Sequence, residues 1–173
     1  MKSHYAFIIN SAPGVGKSTI LKNIHSRLPD GFAMIDGDDV GRVVPYQKSL
    51  SWLNVIQDNI ADCCNNFSQY DYENCIVSFV FPTHERLNRL SGMLSDRGFR
   101  IKHIILDCSD DEITKRIMVR NTSKIINAEQ AKNINRQIKN LSADYRIDTT
   151  ETAADRVSDL VLDYILEVAS ENH

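Results

Sequence analysis

Short, continuous runs of apolar residues alternate along the chain with longer segments whose apolar residues recur at helical spacing. The runs are predicted as strands, because a strand covered by helices on both faces is apolar throughout rather than at every second position. The predicted strands cover residues 5–10, 32–35, 75–81, 101–107 and 145–148. The predicted helices cover residues 17–28, 49–68, 84–97, 110–120, 128–143 and 153–169. Strands that alternate with helices in this way predict an open parallel α/β sheet with right-handed crossovers.

Several helix ends have local sequence signals. Pro29 follows the first helix and Gly98 follows the third, and both residue types commonly end helices. Ser109 precedes three acidic residues at the start of the fourth helix, where negative charge is favoured by the helix dipole. Thr152 and Asp155 have the spacing of a capping box, so we expect the Thr152 side chain to cap the last helix.

Composition and charge narrow the class of protein. A chain of 173 residues with 42% hydrophobic and 25% charged residues is predicted to form one soluble globular domain over residues 1–173. A net charge of −3 gives no global basic field, so neither a nucleic acid nor a membrane partner is expected. No apolar run approaches the roughly 20 residues that span a bilayer.

The amino-terminal segment and the cysteines indicate a cytoplasmic protein. The first ten residues lack the long apolar core of a signal peptide and are interpreted as leading into the first buried strand. The four cysteines lack the paired spacing of a zinc site. They are interpreted as reduced thiols of the core, which is typical of a cytoplasmic protein.

A glycine-rich loop carries the strongest chemical signal. The segment Ser11-Ala12-Pro13-Gly14-Val15-Gly16-Lys17-Ser18-Thr19 nearly matches GxxxxGK[ST], with Ser11 where the pattern has its first glycine. An apolar strand precedes the segment and a helix follows it, which is the structural context of a phosphate-binding P-loop. We expect the small Ser11 side chain to leave the turn intact.

The residue types of this loop suit a nucleoside triphosphate. Gly14 and Gly16 allow successive backbone N–H groups to point at one anion, at the positive end of a helix. Lys17 adds a full charge for the β and γ phosphates, Ser18 a hydroxyl for Mg²⁺ and Thr19 a hydroxyl for a phosphate. The loop, residues 12–19, is therefore predicted to bind ATP with Mg²⁺, although the sequence leaves the choice between ATP and GTP open.

The second strand leads into the acidic segment Asp36-Gly37-Asp38-Asp39. Together with the loop, this segment resembles the small P-loop kinases of the shikimate, gluconate and adenylylsulfate kinase group, which are related to nucleoside monophosphate kinases. The resemblance implies a three-layer fold with a five-stranded parallel sheet in the order 2-3-1-4-5 and a short lid. It also implies that Asp36 and Asp38 serve the phosphate acceptor, with Asp38 facing the acceptor and Asp36 also serving the metal.

Candidate acceptor residues follow from the same resemblance. The third strand contains Ser78 and lacks the Asp that many P-loop proteins carry at its end to hold Mg²⁺. The resemblance assigns Arg86, with Arg89 as a second candidate, to an anionic group of the acceptor. A solvated helix face explains these arginines equally well. Arg42 lies in the segment that builds acceptor pockets in such kinases and is included as a candidate.

A pair of arginines marks the predicted lid. Arg116 and Arg120 are four residues apart and therefore share one face of a helix. By resemblance to nucleoside monophosphate kinases, Arg116 would cover the adenine and Arg120 would reach the phosphates. The predicted lid covers about residues 116–136, and Arg136 is a candidate to return to the site when it closes. Ordinary surface charge is the alternative explanation for these groups.

The resemblance implies an ATP-dependent kinase that phosphorylates a hydroxyl group of a small molecule. In that reading Lys17, Mg²⁺ and the lid arginines stabilise the transferred phosphoryl group, and Asp38 aligns the acceptor oxygen. Three alternatives remain open at this point. The acceptor is a nucleoside monophosphate, or it is a polynucleotide end, an antibiotic or a nucleotide sugar, or the protein is a nucleotide-binding switch or ATPase with no acceptor.

Overall fold

A computed structural model describes residues 4–44, 49–119 and 127–171 of the protein. Five parallel strands form one sheet in the order β2-β3-β1-β4-β5. The strands are β1 (His4–Asn10), β2 (Phe32–Asp36), β3 (Asn74–Phe79), β4 (Phe99–Asp107) and β5 (Tyr145–Asp148). This is the predicted strand order of a P-loop NTPase sheet, and the predicted fold class is confirmed.

Helices connect the strands and cover both faces of the sheet. They are α1 (Lys17–His25), α2 (Leu50–Ser68), α3 (His84–Ser95), α4 (Asp110–Val119), α5 (Ala128–Lys139) and α6 (Ala154–Ser170). Each predicted helix is present, but α1 and α5 end three and four residues before the predicted positions 28 and 143. Helix ends fray and depend on tertiary contacts, so their positions are harder to predict than the helices themselves.

The core consists of two apolar layers, one on each face of the sheet. Phe7 and Ile9 of β1 belong to one layer, while Ala6 and Ile8 belong to the other. Successive side chains of a strand point to opposite faces, so a central strand covered on both sides must be apolar at every position. This arrangement explains why the strands appear in the sequence as continuous apolar runs.

The helix-end predictions were correct at two positions and wrong at a third. Gly98 adopts a φ of 88° and its N–H donates to the Ser95 carbonyl, which ends α3. The Ser109 hydroxyl accepts a hydrogen bond of 3.2 Å from the Glu112 N–H at the start of α4. Thr152 does not cap α6, because its hydroxyl donates instead to the Asp148 carbonyl at 3.2 Å. The N-cap position of α6 is occupied by Ala153.

Within the three described ranges, no helix combines the length and the apolar character that crossing a lipid bilayer requires.

Candidate active site

The glycine-rich loop connects the end of β1 to the start of α1, as its sequence context predicts. Gly14 and Gly16 have φ angles of 87° and 112°, a region that side chains disfavour, so glycine is required at both positions. Gly16 is the N-cap of α1, and no side chain caps this helix. The positive end of α1 is therefore open to an anion, because its first N–H groups are not satisfied by a capping side chain.

Ser11 occupies the position of the missing first glycine without straining the backbone. Its side chain is completely buried, and within the described residues its hydroxyl has no hydrogen-bond partner. Ser11 is not among the described residues with a positive φ, so this position does not depend on glycine's conformational freedom. A small side chain is sufficient here, and the helix begins at Lys17 as expected.

The Lys17 side chain reaches across to the third strand. Its ammonium group donates to the Ser78 hydroxyl at 2.9 Å, and that hydroxyl lies 3.4 Å from the Asp36 carboxylate on the neighbouring strand. Burial lowers the pKa of Lys17, while the charges of Asp36 and Asp38 oppose the shift. Desolvation has a larger effect on this pKa than the two carboxylates together. A bound polyanion would add negative charge and so stabilise the charged lysine.

The acidic segment after β2 forms a compact turn beside Lys17. The Asp36 carboxylate accepts a hydrogen bond of 2.9 Å from the Asp38 N–H, and Asp38 itself is exposed. Gly37 is required for space rather than for its φ angle, because a Cβ atom there would lie 2.4 Å from the Phe79 ring. Asp36 is thus held by the turn, and the Asp38 carboxylate is left available to a ligand.

Two cavities meet at the loop. The large cavity, of about 730 Å³, lies on the side of α2, α3 and α5 and contains Lys17, Ser18, Asp38 and Arg86 in its wall. Its apolar lining consists mainly of Trp52, Leu53, Phe79, Phe81, Pro82 and Ile134. The large cavity therefore combines an apolar wall with a few polar groups, which is typical of small-molecule sites.

The small cavity, of about 460 Å³, lies between the loop, α4 and the start of α6. Gly14 and Gly16 line both cavities, so the two spaces adjoin at the glycine-rich backbone. A ligand in the small cavity could thus extend phosphates over the loop toward Lys17 and the large cavity.

The Arg116 side chain forms part of the wall of the small cavity and is held by several hydrogen bonds. Its guanidinium donates to the Val15 carbonyl at 2.7 Å, to the Thr149 carbonyl at 2.6 Å and to the Glu112 carboxylate at 2.8 Å. The arginine fixes the loop to the end of β5. Because most of its donors are already used, its contribution in this arrangement is to position the loop.

The remaining predicted arginines differ in their surroundings. Arg86 lines the large cavity, whereas Arg89 forms an ion pair of 2.6 Å with Asp58 and does not line it. Arg42 is exposed, pairs with Asp39 at 2.7 Å and also lies outside the walls of both cavities. Arg136 forms an ion pair with Asp110. Arg120 lies outside the described residues, as does part of the predicted lid, residues 120–126.

Sequence reasoning missed residues that act through long-range contacts. Thr149 binds the loop from the end of β5, and its only sequence signal is its position in the loop after a strand. Asn10 is completely buried and exchanges two hydrogen bonds with the backbone of Phe81. Asn54 accepts a hydrogen bond of 2.8 Å from Arg86. None of these pairings could be deduced from sequence spacing.

The residues at the loop suit a nucleotide-bound magnesium ion better than a protein-only metal site. In residues 4–44, 49–119 and 127–171, no three His, Cys, Asp or Glu side chains cluster to hold a metal. Mg²⁺ in phosphate sites takes one or two protein ligands together with phosphate oxygens and water. Ser18 and Asp36 could supply such ligands, and the uncapped helix end with Lys17 could hold the phosphates.

One protein-family model matches most of the chain. A model described as an AAA domain matches residues 8–145, which include the loop, the acidic turn and both cavity walls up to β5. The chain belongs to this AAA-domain family. No curated protein sequence matches it.

Solved structures show that this AAA-domain protein has the fold of small P-loop kinases. The tunicamycin resistance protein of Deinococcus radiodurans has a TM-score of 0.70 at 19% identity, covering 94% of this chain and 95% of that one. The APS kinase of Mycobacterium tuberculosis, solved with AMPPNP and APS, has a TM-score of 0.67 at 14% identity, covering 95% and 99%. A gluconokinase from Sinorhizobium meliloti 1021 has a TM-score of 0.65 at 15% identity, covering 99% and 97%.

Identities this low establish the shared fold but not a shared substrate. The predicted relation to the gluconate and adenylylsulfate kinase group is confirmed at the level of the fold.

Proposed function

We propose that this protein transfers the γ-phosphoryl group of ATP, bound with Mg²⁺, to a hydroxyl group of a small molecule. The observation that carries the proposal is the meeting of two cavities at Gly14 and Gly16. A phosphotransferase needs its two substrates in line across the phosphates, and two cavities with a shared phosphate loop supply that geometry.

The small cavity is assigned to the nucleoside part of ATP. Val15 and Ile20 supply apolar lining, and the Arg116 side chain covers one side. The phosphates would then lie on the backbone N–H groups at the start of α1, with Lys17 beside the β and γ phosphates. We assign Ser18 and Asp36 to Mg²⁺, which would offset the charge of the phosphate oxygens.

The large cavity is assigned to the acceptor. Asp38 is exposed at its wall and near Lys17, so it is placed to orient an acceptor hydroxyl and to take its proton. Arg86 is assigned to an anionic group of the same molecule. We retain Arg42 as a predicted acceptor residue, Arg120 as a predicted contact of the phosphates, and residues 116–136 as the lid that excludes water.

The lid assignment has support from α5. Gln130 and Ile134 of this helix line the large cavity. The carboxyl-terminal part of the proposed lid therefore already contributes to the acceptor wall. We also propose a cytoplasmic location, in keeping with the four cysteines, which are all free thiols.

A nucleotide-like or antibiotic acceptor is the second candidate. The tunicamycin resistance protein has the same fold at a TM-score of 0.70, and the aromatic wall of the large cavity would suit a ring. This acceptor class differs from gluconate or shikimate in carrying planar groups, so a substrate screen separates the two possibilities.

The test is a coupled measurement of ADP release over acceptor classes. The panel contains hydroxy acids, sugars, adenylylsulfate, nucleoside monophosphates, nucleosides and a short polynucleotide with a free 5′ hydroxyl. Acceptor-stimulated ADP release with formation of the phosphorylated product is expected for one class. Binding of ATP without stimulation by any acceptor would favour an ATPase or switch, and the absence of ATP binding would contradict the proposal.

A further inference from the structure

Three arginines of the α3 region point to side chains on one face of α2. Arg86 contacts Asn54 at 2.8 Å, Arg89 contacts Asp58 at 2.6 Å, and Arg97 contacts Asp62 at 2.6 Å. Residues 54, 58 and 62 are four apart, so they follow one another along the same face of the helix. We call these three contacts the arginine ladder.

The first contact of the ladder differs from the other two in charge. Arg89 and Arg97 each meet a carboxylate, so their charges are compensated within the ladder. Arg86 meets the side-chain amide of Asn54, and since a guanidinium only donates, it must bind the amide oxygen. No carboxylate of the described residues lies within ion-pair distance of Arg86. The positive charge of Arg86 is therefore oriented but not neutralised.

The uncompensated contact is the one that faces the large cavity. Arg86 lines this cavity, whereas Arg89 and Arg97 do not. Lys17 and Arg86 are the two cations among the described lining residues, and Lys17 lies at the phosphate loop. Asp38 and Glu85 are the lining carboxylates, and neither forms an ion pair with Arg86. A ligand that fills the space away from the loop thus meets Arg86 as its positive group.

The position of Arg86 is fixed from a second side. The buried Gln57 side chain donates to the Arg86 carbonyl at 2.6 Å and lies within 3.4 Å of the Arg89 guanidinium through its own carbonyl oxygen. The first turn of α3 is thereby attached to α2. A guanidinium held in this way loses little further freedom when it binds an anion, which favours affinity.

We propose that Asn54 determines the acceptor class by holding Arg86 in place without neutralising it, so that the large cavity selects an acceptor with an apolar or ring-shaped body and an anionic group. The anion is of the carboxylate, sulfonate or phosphate type, which a guanidinium fork binds well. The proposal rests on the proposed function only in naming the ligand an acceptor. The selectivity of the cavity itself can be measured without turnover.

The direct test is the substitution Asn54→Asp, which places a carboxylate at the first contact of the ladder, as at the other two contacts. Phenylphosphonate serves as an anionic ring probe, and benzyl alcohol as its neutral counterpart. The chain has a single tryptophan, Trp52, in the wall of the large cavity, so its fluorescence reports binding. Saturating ADP with Mg²⁺ is present to keep the probe away from the phosphate loop.

Asn54→Asp is expected to weaken phenylphosphonate binding about tenfold, because the new carboxylate competes for Arg86. Benzyl alcohol binding is expected to change less than about twofold, since it makes no ion pair. Arg86→Gln is expected to cause the same selective loss as Asn54→Asp. The matched control is Asp58→Asn at the next contact of the ladder, which removes a carboxylate from the same helix face and leaves probe binding unchanged.

Unchanged phenylphosphonate binding in Asn54→Asp, or an equal loss in Asp58→Asn, would overturn the proposal. A wild-type protein that binds the two probes equally well would overturn it too. Thermal denaturation of all variants shows whether the interface between α2 and α3 is intact. Selective anion binding without phosphoryl transfer to any acceptor would reject the kinase function and leave the selectivity of the cavity standing.

Discussion

The small and the large cavity are built from different parts of the chain. The small cavity lies between the phosphate loop, α4 and the start of α6, and Arg116 and Thr149 fix the loop through the Val15 carbonyl. The large cavity is assembled from side chains of α2, α3 and α5 together with the ends of β1 and β3. The phosphate loop that the two cavities share is visible in a short sequence motif, whereas the walls contributed by separate elements become visible only after folding.

The two cavities also differ in how the charge of their arginine is used. In the small cavity Arg116 already donates to four protein acceptors, so its charge mainly serves the architecture of the loop. In the large cavity Arg86 donates to a neutral amide and keeps its charge for a ligand. Removing each charge should therefore have different consequences for binding and turnover.

Lys17→Ala is expected to have the largest effect, because Lys17 lies where the two cavities meet. Turnover should fall about a thousandfold or more, since a positioned charge at the transferred phosphoryl group is lost. The measurement is the rate of ADP release with saturating substrates. Lys22→Ala is the control, because Lys22 is exposed on the same helix. Wild-type turnover in Lys17→Ala would contradict the assignment.

Asp38→Asn should affect the acceptor side alone. We expect turnover to decrease about 10² to 10⁴-fold, the range for a general base, while the KM for ATP changes little. Asp39→Asn is the matched control, since Asp39 is a neighbouring exposed carboxylate that pairs with Arg42. A large increase in the KM for ATP in Asp38→Asn would instead assign this carboxylate to the nucleotide side.

Arg116→Lys should affect the nucleotide side alone. Lysine cannot reproduce the guanidinium fork that joins Val15 to Thr149, so the loop should become less ordered. We expect the KM for ATP to rise about tenfold and the free energy of unfolding to fall by about 1–3 kcal/mol. Kinetics and urea denaturation measure these effects, with Arg156→Ala, an exposed change on α6, as the control. An unchanged KM for ATP would refute the positioning role.

The pH dependence of stability should show the smallest effect. The pKa of Lys17 is lowered by burial from its ordinary value of 10.5, so the unfolded chain binds the proton more tightly. Between the pKa of Lys17 in the folded protein and 10.5, the free energy of unfolding should therefore rise with pH. Below the folded-state pKa, Lys17 is charged in both states, and the cost of burying its charge lowers the free energy of unfolding by its full amount.

Urea denaturation at about pH 8 and about pH 10 would compare the wild type with Lys17→Met. The rise with pH should be smaller in the variant, which lacks the titrating group. Saturating ATP with Mg²⁺ should reduce the difference between the two proteins, because phosphate oxygens favour the charged lysine. An identical pH dependence in the absence of nucleotide would contradict the desolvation of Lys17.

The sheet and the phosphate loop could be predicted because their signals are local. Five apolar runs correspond to five strands, and β5 has the predicted bounds of Tyr145–Asp148. The third strand was predicted to reach Phe81, but β3 ends at Phe79, and the backbone of Phe81 pairs with the Asn10 side chain instead. Apolar character alone does not distinguish a backbone ladder from a side chain that replaces it.

The acceptor side could be predicted only in part. Arg86 lies in the wall of the large cavity, whereas Arg89 and Arg42 form ion pairs with carboxylates and lie outside that wall. These three arginines are chemically identical in the sequence, and only their side-chain partners in the folded protein distinguish them. Asn54 could not be recognised as a candidate in the sequence, because its proposed role depends on its side chain being uncharged.

Asn10 connects the two sides of the site in a way that would couple the binding of the two proposed substrates. It is the last residue of β1, directly before the phosphate loop, and its amide is bonded to both backbone groups of Phe81 in the wall of the large cavity. A shift of the loop on arrival of the nucleotide would be passed through one side chain to the opposite wall. The two proposed substrates should accordingly change each other's affinity by the same factor, and replacing this amide should make their binding independent.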